Sequence, residues 1–175
     1  MQRERTKLIA FTGLFAALIF LTTCLIHIPS GVNGGYVHFG DSLVYLSAAL
    51  LPLPYAMTAS AIGAGLSDLI SPGGAVWILP TILIKPLCCL AFTRRQSILC
   101  RRNILAVCIG AAVTIIGYGV ATAVISGSVY TAIAELPLAL IQPTGSGICF
   151  LVWGGALDKT NVRQLLPLHV EGDKL

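Results

Sequence analysis

Apolar segments long enough to cross a lipid bilayer follow one another along the chain and leave little of it for anything else. The hydrocarbon core of a bilayer is about 30 Å thick, and a helix of about 20 residues crosses it. Of the 175 residues, 56% are hydrophobic and only 10% are charged, whereas about 25% of the residues of a soluble domain are charged. The sequence therefore predicts an all-α integral membrane protein with about six spans and no room for a soluble catalytic or nucleic-acid-binding domain.

One stretch, residues 41–70, is too long for an ordinary span and is interrupted at Pro52 and Pro54. It is either one over-long helix or two short, tilted helices. Whether the helix after it begins at Gly74 or at Pro80 stays open. With two helices in the long stretch, the chain is a single six-helix membrane domain over residues 1–175, with spans at about residues 8–28, 42–53, 55–70, 75–92, 104–125 and 136–157.

The basic residues favour six spans, because cytoplasmic loops of membrane proteins carry an excess of lysine and arginine. With six spans and a cytoplasmic N-terminus, both termini are cytoplasmic and no basic residue falls in an outer loop. A single helix over residues 41–70 would instead place the arginine-rich loop after residue 92 outside. The basic residues on the cytoplasmic side, ten of the 11 in the chain, are then Arg3, Arg5, Lys7, Arg94, Arg95, Arg101, Arg102, Lys159, Arg163 and Lys174.

The remaining basic residue, Lys85, lies nine residues before Arg94, and therefore about 13 Å inside the predicted fourth span. A charge at that depth costs at least about 2.5–3.5 kcal/mol on insertion scales, so it is expected to face protein or water. Lys85 either pairs with Asp68 inside the bundle or contacts a substrate at the floor of an outward-facing cavity, and both can hold. Pro86 is expected to kink the helix beside it.

Other polar residues fall toward the outer side in this topology. The first outer loop holds Asn33, Tyr36 and His38 among glycines, and it is either a mobile cover over a small planar ligand or an ordinary surface loop. Asp41 begins the second span, where an N-cap role is more typical than a binding role.

The later helices carry a second group of candidates. Trp77 and Tyr118 are typical of the aromatic belt at a membrane interface. Glu135 and Gln142 are seven residues apart and therefore share one helix face. Glu135 is at the predicted membrane edge and can be solvated there, whereas an amide as deep as Gln142 needs a partner.

Small residues four apart form a further pattern, with Gly13 and Ala17 in the first helix and Ala59 and Gly63 in the third. Such pairs let helices approach closely. They serve either packing within the bundle or docking onto another membrane protein, and internal packing is the default.

The sequence contains no GxSxG, HExxH or Walker motif, so we expect a binding protein and not an enzyme. Its six cysteines form no CxxC pair, and no histidine stands at zinc-ligand spacing. We therefore expect free thiols in apolar surroundings, and neither a metal ion nor a cofactor.

Several segments resemble the substrate-binding S components of energy-coupling factor (ECF) vitamin transporters. Residues 35–51, GYVHFGDSLVYLSAALL, resemble the entry to that family's second helix. AIGAGLSDLI at residues 61–70 and LPTILIKPL at residues 79–87 are similar to its third and fourth helices. Gly117–Tyr118, the ELP of residues 135–137 and Gln142 resemble its last two helices. The resemblance runs from about residue 8 to residue 157 and is nearest to the riboflavin-type group.

The resemblance implies a six-helix protein whose outward-facing pocket is covered by the first loop and binds a water-soluble vitamin or related heterocycle. It also implies docking on a transmembrane T subunit through Gly13 and Ala17, and assembly with two cytoplasmic ATPases. The protein itself would lie in a prokaryotic cell membrane. The chain departs from the family pattern at Pro86, where glycine is common, and at Ala139, where a pocket asparagine is common. The pocket would draw on Asn33, Tyr36, His38, Asp68, Trp77, Lys85, Tyr118, Glu135 and Gln142.

Two other functions remain open at the level of sequence. Asp68 and Lys85 are also compatible with an ion-coupled secondary transporter, although no inverted repeat of the kind common in such proteins is evident. A membrane scaffold subunit without a ligand is the other alternative.

Overall fold

The computed structural model describes residues 2–26, 28–29, 36–94 and 97–160. The described chain is all-α apart from one pair of two-residue strands, as the sequence predicts. Its elements are α1 Gln2–Leu25, β1 Ile28–Pro29, β2 Tyr36–Val37, α2 Asp41–Leu50, α3 Leu53–Ile70, a 3-10 helix at Gly74–Trp77, α4 Ile78–Leu87, α5 Arg101–Ser126 and α6 Val129–Asp158. The strands pair antiparallel, with Ile28 opposite Val37.

Among the described helices, α1, α5 and α6 are long and apolar enough to cross a membrane, with 24, 26 and 30 residues. The α2 and α4 helices have ten residues each, or about 15 Å at 1.5 Å per residue. That is half the thickness of the hydrocarbon core. The bundle thus combines three long helices with shorter ones, and the positions of the six predicted spans stay a prediction.

Prolines and glycines set the boundaries of the short helices. The stretch of residues 41–70 is two helices, because Leu51 is extended and Pro52 precedes the first turn of α3. A 3-10 turn begins at Gly74 and α4 follows at Ile78, so Gly74 and not Pro80 opens this segment. Pro86 has no backbone N–H to donate, and α4 ends one residue later.

The α2 helix is the centre of the bundle, and all ten of its residues are buried. It packs against α6, α3 and α1, while α4 lies between α3 and α5. From α2, the Tyr45 ring stacks on Phe92 with centroids 5.4 Å apart and forms an edge contact with Phe150 at 6.2 Å. A helix that is buried on every side has no face for lipid, so α2 is held by protein contacts alone.

The small residues of α1 and α3 have two different roles. A methyl group on Gly63 of α3 would lie 2.5 Å from the Ala16 carbonyl oxygen, so α1 and α3 pack closely at this point. Gly13 and Ala17, on the other hand, are exposed, and they line an apolar groove of about 620 Å³ between the same two helices. Gly63 therefore serves packing within the bundle, whereas Gly13 and Ala17 face outward.

The segment between α4 and the first turn of α5, which we call the arginine loop (residues 93–102), is fastened by the buried Asn103 and the exposed Asp158. The Asn103 amide oxygen accepts the Thr93 backbone N–H at 2.7 Å, and its nitrogen donates to the carbonyls of Thr93 and Ile98 at 2.9 and 3.1 Å. The Asp158 carboxylate, at the end of α6, accepts the backbone N–H groups of Ile98 and Leu99 at 2.8 and 2.9 Å. These bonds attach the described part of the loop to the first turn of α5 and the last turn of α6.

Candidate functional site

At the end of the bundle opposite the arginine loop, a cavity of about 90 Å³ lies between β2 and helices α3 to α6. Ligand pockets typically measure about 300–1,000 Å³, so a heterocycle enters this cavity only if part of its lining moves. The described residues around it are mostly polar or aromatic: Tyr36, Val37, His38, Asp68, Trp77, Thr81, Thr114, Ile115, Tyr118, Thr122, Glu135, Leu138, Ala139 and Gln142.

The structure brings together most of the residues that the sequence singles out, although their role as ligand contacts stays a prediction. Asn33 lies outside the described residues, and Lys85 is buried behind the lining instead of forming part of it. The predicted residues that do line the cavity are Tyr36, His38, Asp68, Trp77, Tyr118, Glu135 and Gln142.

Lys85 forms a buried ion pair with Asp41. The Lys85 Nζ lies 2.5 Å from Asp41 Oδ1, and both side chains are almost completely buried. The other carboxylate oxygen, Oδ2, accepts the Gln142 amide N–H at 2.9 Å. The expected pairing of Lys85 with Asp68 is therefore wrong: the carboxylate that neutralises Lys85 comes from α2.

The expectation that Asp41 caps α2 is also wrong. Gly40 is the N-cap residue, and no side chain caps this helix. The Asp41 carboxylate turns into the bundle because a buried lysine needs a charged partner, and this requirement outweighs the local preference for capping. Asp41 also explains how Gln142 can lie deep in the bundle, because the Gln142 amide donates a hydrogen bond to its carboxylate.

Tyr118 connects this ion pair to the cavity. The Lys85 Nζ lies 4.9 Å from the centroid of the Tyr118 ring, within the range of a cation–π contact. The Tyr118 hydroxyl and the Thr81 hydroxyl are 2.9 Å apart, and the ring centroids of Tyr118 and Trp77 are 6.1 Å apart. The ion pair therefore holds two lining residues in place, Tyr118 by its charge and Gln142 by a hydrogen bond.

Tyr36 ties the first loop to α3. Its hydroxyl donates to Asp68 Oδ1 at 2.5 Å and lies 3.4 Å from the Ser67 hydroxyl. Burial, and then the neighbouring Asp68 carboxylate, raise the pKa of Tyr36 above its ordinary value, so the phenol keeps its proton and is the donor. The ring of His38 lies 5.5 Å from that of Tyr36, and its Nδ1 accepts the Gly40 backbone N–H at 3.1 Å.

Glu135 stands on the α6 wall of the cavity. Its Oε2 accepts the Thr122 hydroxyl at 3.0 Å. One turn further along α6, Ala139 occupies the lining position between Glu135 and Gln142. The pocket asparagine that is common in the resembling family is thus replaced here by a methyl group.

Among the residues of this arrangement that sequence reasoning missed are Asp41, as the partner of Lys85, and Thr81 and Thr122 in the lining. The two threonines carry a signal that was available. Thr81 precedes Lys85 by four residues and Thr122 follows Tyr118 by four, and residues four apart share a helix face. Asp41 carries no such signal, because its partners come from α4 and α6.

The sequence matches one family of known proteins over most of its length. Residues 3–159 match the model of the family described as ECF-type riboflavin transporter, S component. No match was found among curated proteins or among solved structures. The match covers nearly the whole described chain, including every helix that lines the cavity. The chain therefore belongs to the ECF-type riboflavin transporter S component family, the membrane proteins that bind the substrate in vitamin uptake by such transporters.

Proposed function

We propose that this chain captures a small water-soluble vitamin or a related heterocycle from outside the cell, in the cavity described above, for ATP-driven import. The observation that carries this proposal is the convergence of aromatic and hydrogen-bonding side chains from the first loop and four helices on one cavity. A cavity in which polar groups converge among aromatic and apolar side chains is the usual location of a small-molecule site.

The topology we propose has six spans with both termini in the cytoplasm. It places the arginine loop in the cytoplasm, because basic loops remain on that side, and it directs the cavity outward. Asn103 and Asp158 fasten Thr93 and Ile98, in the described part of this loop, to the bundle. Arg95, Arg163 and Lys174, which also support this topology, lie outside the described residues.

The chain has no motif that would hydrolyse ATP, so its energy comes from partners. We propose that it is not an enzyme and that it assembles in a prokaryotic cell membrane with a T subunit and two cytoplasmic ATPases. Gly13 and Ala17 support this, because they face outward along an apolar groove between α1 and α3, and small residues of this kind let a helix of another subunit approach.

Gly13→Leu tests the interface. The substitution fills the groove without touching the cavity, so we expect at least about a tenfold loss of T subunit in co-purification, or about 1.4 kcal/mol of association free energy. Gly119→Leu on α5 is the matched control, because a Cβ at either glycine meets no atom within 4 Å. Equal loss of the T subunit in both variants would contradict an interface at Gly13.

The binding function is tested by purifying the chain in detergent, denaturing it, and identifying any released small molecule by mass spectrometry. A heterocycle at near-stoichiometric amount is the expected result. A protein that is empty, and that stays empty after incubation with a mixture of vitamins, would contradict the proposal. Uptake into liposomes driven by a proton or sodium gradient, with no ATPase present, would favour an ion-coupled transporter instead.

A further inference from the structure

The α6 wall of the cavity contains a proline in the middle of the helix. Pro143 lies inside α6, which continues to Asp158, and its ring nitrogen carries no hydrogen. In an α-helix the carbonyl of each residue accepts the backbone N–H of the residue four positions later. The carbonyl of Ala139 therefore lacks the donor that its position in the helix would otherwise supply.

The Ala139 carbonyl belongs to the wall of the cavity. Ala139 and Gln142 both line the cavity, and Pro143 is buried in the bundle. A helix carbonyl is directed toward the residues three and four positions later, which here are Gln142 and Pro143. The oxygen without a helical donor therefore lies on the side of α6 that borders the cavity.

The nearest side-chain donors on α6 are directed elsewhere. The Thr144 hydroxyl donates to the Leu140 carbonyl at 2.7 Å, and the Gln142 amide nitrogen donates to Asp41 Oδ2 at 2.9 Å. Proline inside a membrane helix is tolerated where other groups satisfy the carbonyl that it leaves unpaired. A molecule that fills the cavity displaces water from this carbonyl and has to bring a donor of its own.

Two further acceptors flank the Ala139 carbonyl on the same helix. With its nitrogen bound to Asp41, the Gln142 amide keeps its oxygen as an acceptor. The Glu135 carboxylate accepts the Thr122 hydroxyl through Oε2 and has further lone pairs. Residues 135, 139 and 142 are four and three positions apart, so they share one face. The α6 wall is therefore rich in acceptors.

Resting on the proposed function, we infer that the backbone carbonyl of Ala139, which Pro143 leaves without its helical donor, is a binding group of this cavity and that the ligand donates a hydrogen bond to it. Such a ligand carries an N–H group on its ring or a hydroxyl group on a side chain, since a carbonyl oxygen accepts from either. A heterocycle that presents only acceptors to α6 binds weakly, because buried acceptors then stay unsatisfied.

Riboflavin and two analogues distinguish the two kinds of donor. Riboflavin has an imide N–H on its ring and hydroxyl groups on its ribityl chain. Its ring N-methyl derivative lacks the imide N–H, whereas lumiflavin lacks the hydroxyl groups because a methyl group replaces the chain. Binding of each flavin to the purified chain in detergent is followed by the quenching of flavin fluorescence.

Pro143→Ala restores a backbone N–H that the Ala139 carbonyl can accept within the helix. We therefore expect this variant to bind riboflavin about fivefold less tightly than wild type, the effect of one lost hydrogen bond. The analogue that lacks the donor in contact with Ala139 should bind the variant and the wild type equally.

Pro137→Ala is the matched control on the same helix. It restores a donor to the carbonyl of Ile133, whose side chain is exposed and lies outside the described lining of the cavity. This variant should bind riboflavin with the affinity of wild type.

Selective weakening supports the inference. Weaker binding of riboflavin by Pro143→Ala, with unchanged binding of one analogue, identifies the donor as the ring N–H or the hydroxyl chain. Equal affinity of Pro143→Ala and wild type for riboflavin overturns the inference. Equal weakening for all three flavins, or the same weakening in Pro137→Ala, also overturns it, because a change in the shape of α6 would then be the cause.

The proposed function is separated from this inference by the range of vitamins that bind. A chain that binds another vitamin and not riboflavin contradicts the inference and leaves the proposed function standing. If no vitamin binds at millimolar concentration and the purified protein carries no small molecule, the proposed function fails, and this inference fails with it.

Discussion

The two ends of the bundle use polar side chains in opposite ways. At the arginine loop, Asn103 and Asp158 direct their hydrogen bonds to backbone groups. At the cavity, Asp68 and Glu135 accept bonds from the hydroxyl groups of other side chains. Backbone groups cannot move away without unfolding the loop, whereas a side chain can exchange its partner by rotating. One end is thus built to hold a single conformation, and the other to accept a ligand.

The Asp41–Lys85 pair combines properties of the two ends. It is as buried as Asn103, yet it acts on the cavity through Tyr118 and Gln142. The comparison predicts that substitutions at the arginine loop change stability alone and that those in the lining change binding alone. Changes in the ion pair should affect both properties.

The largest effect is expected for Lys85→Ala. It leaves Asp41 as an uncompensated buried charge, which costs about 3–5 kcal/mol of stability, and it frees Tyr118, so binding of the vitamin should weaken by at least about tenfold. Thermal denaturation in detergent and ligand titration measure the two effects. The double variant Asp41→Asn/Lys85→Met should recover stability without recovering affinity. Unchanged affinity in folded Lys85→Ala would make the residue purely structural.

Asn103→Ala should follow in size. It deprives three backbone groups of their partner, and unsatisfied buried groups cost about 1–3 kcal/mol. We expect a lower midpoint of thermal unfolding together with ligand affinity within about twofold of wild type, which corresponds to less than about 0.5 kcal/mol. Cys108→Ala, an exposed change on the same helix, is the control. A large loss of affinity in Asn103→Ala would show that the two ends are coupled.

A smaller effect is expected for Tyr36→Phe, which removes only the hydroxyl that joins the first loop to Asp68. A hydrogen bond of this kind contributes about 1 kcal/mol, so a bound vitamin should dissociate about fivefold faster while the midpoint of unfolding stays the same. Stopped-flow displacement measures the rate. The control is Tyr55→Phe on α3, outside the cavity lining, and a similar acceleration there would argue against the Tyr36–Asp68 bond as the cause.

The smallest effect is expected for Glu4→Gln. The Glu4 and Lys7 side chains form an exposed ion pair at 3.1 Å, and exposed pairs contribute less than about 0.5 kcal/mol. Neither stability nor affinity should change beyond error. A measurable loss of stability would mean that the N-terminal turn of α1 has a partner in the assembled protein.

Much of the fold can be predicted from the sequence, because bilayer thickness and helix geometry translate directly into segment length. The ends of the short helices cannot. Residues 88–91 form turns although they are as apolar as the helix before them, so hydropathy does not mark the end of α4. Pro86 lacks a backbone N–H. Whether the helix ends there depends on what packs beside it, which the sequence does not show.

The lining was accessible to prediction for a similar reason. Polar and aromatic residues are costly in a membrane, so Trp77, Tyr118 and Gln142 stand out in apolar helices. Which residues pair is a different matter. Local rules assign Asp41 to a helix cap and bring Lys85 toward Asp68, whereas the observed pair depends on how α2 lies against α4, and no spacing within one helix reports that.

The central position of α2 also governs the order in which the protein can be assembled as it leaves the ribosome. Gln142, a hydrogen-bond partner of Asp41, is 101 residues later in the chain. The packing of α2 against α6 likewise requires the last helix of the described chain. A nascent chain that lacks α6 therefore carries a half-made charged cluster next to lipid. Because α6 forms one wall of the cavity, the capacity to hold a vitamin arises only after this helix has been synthesised.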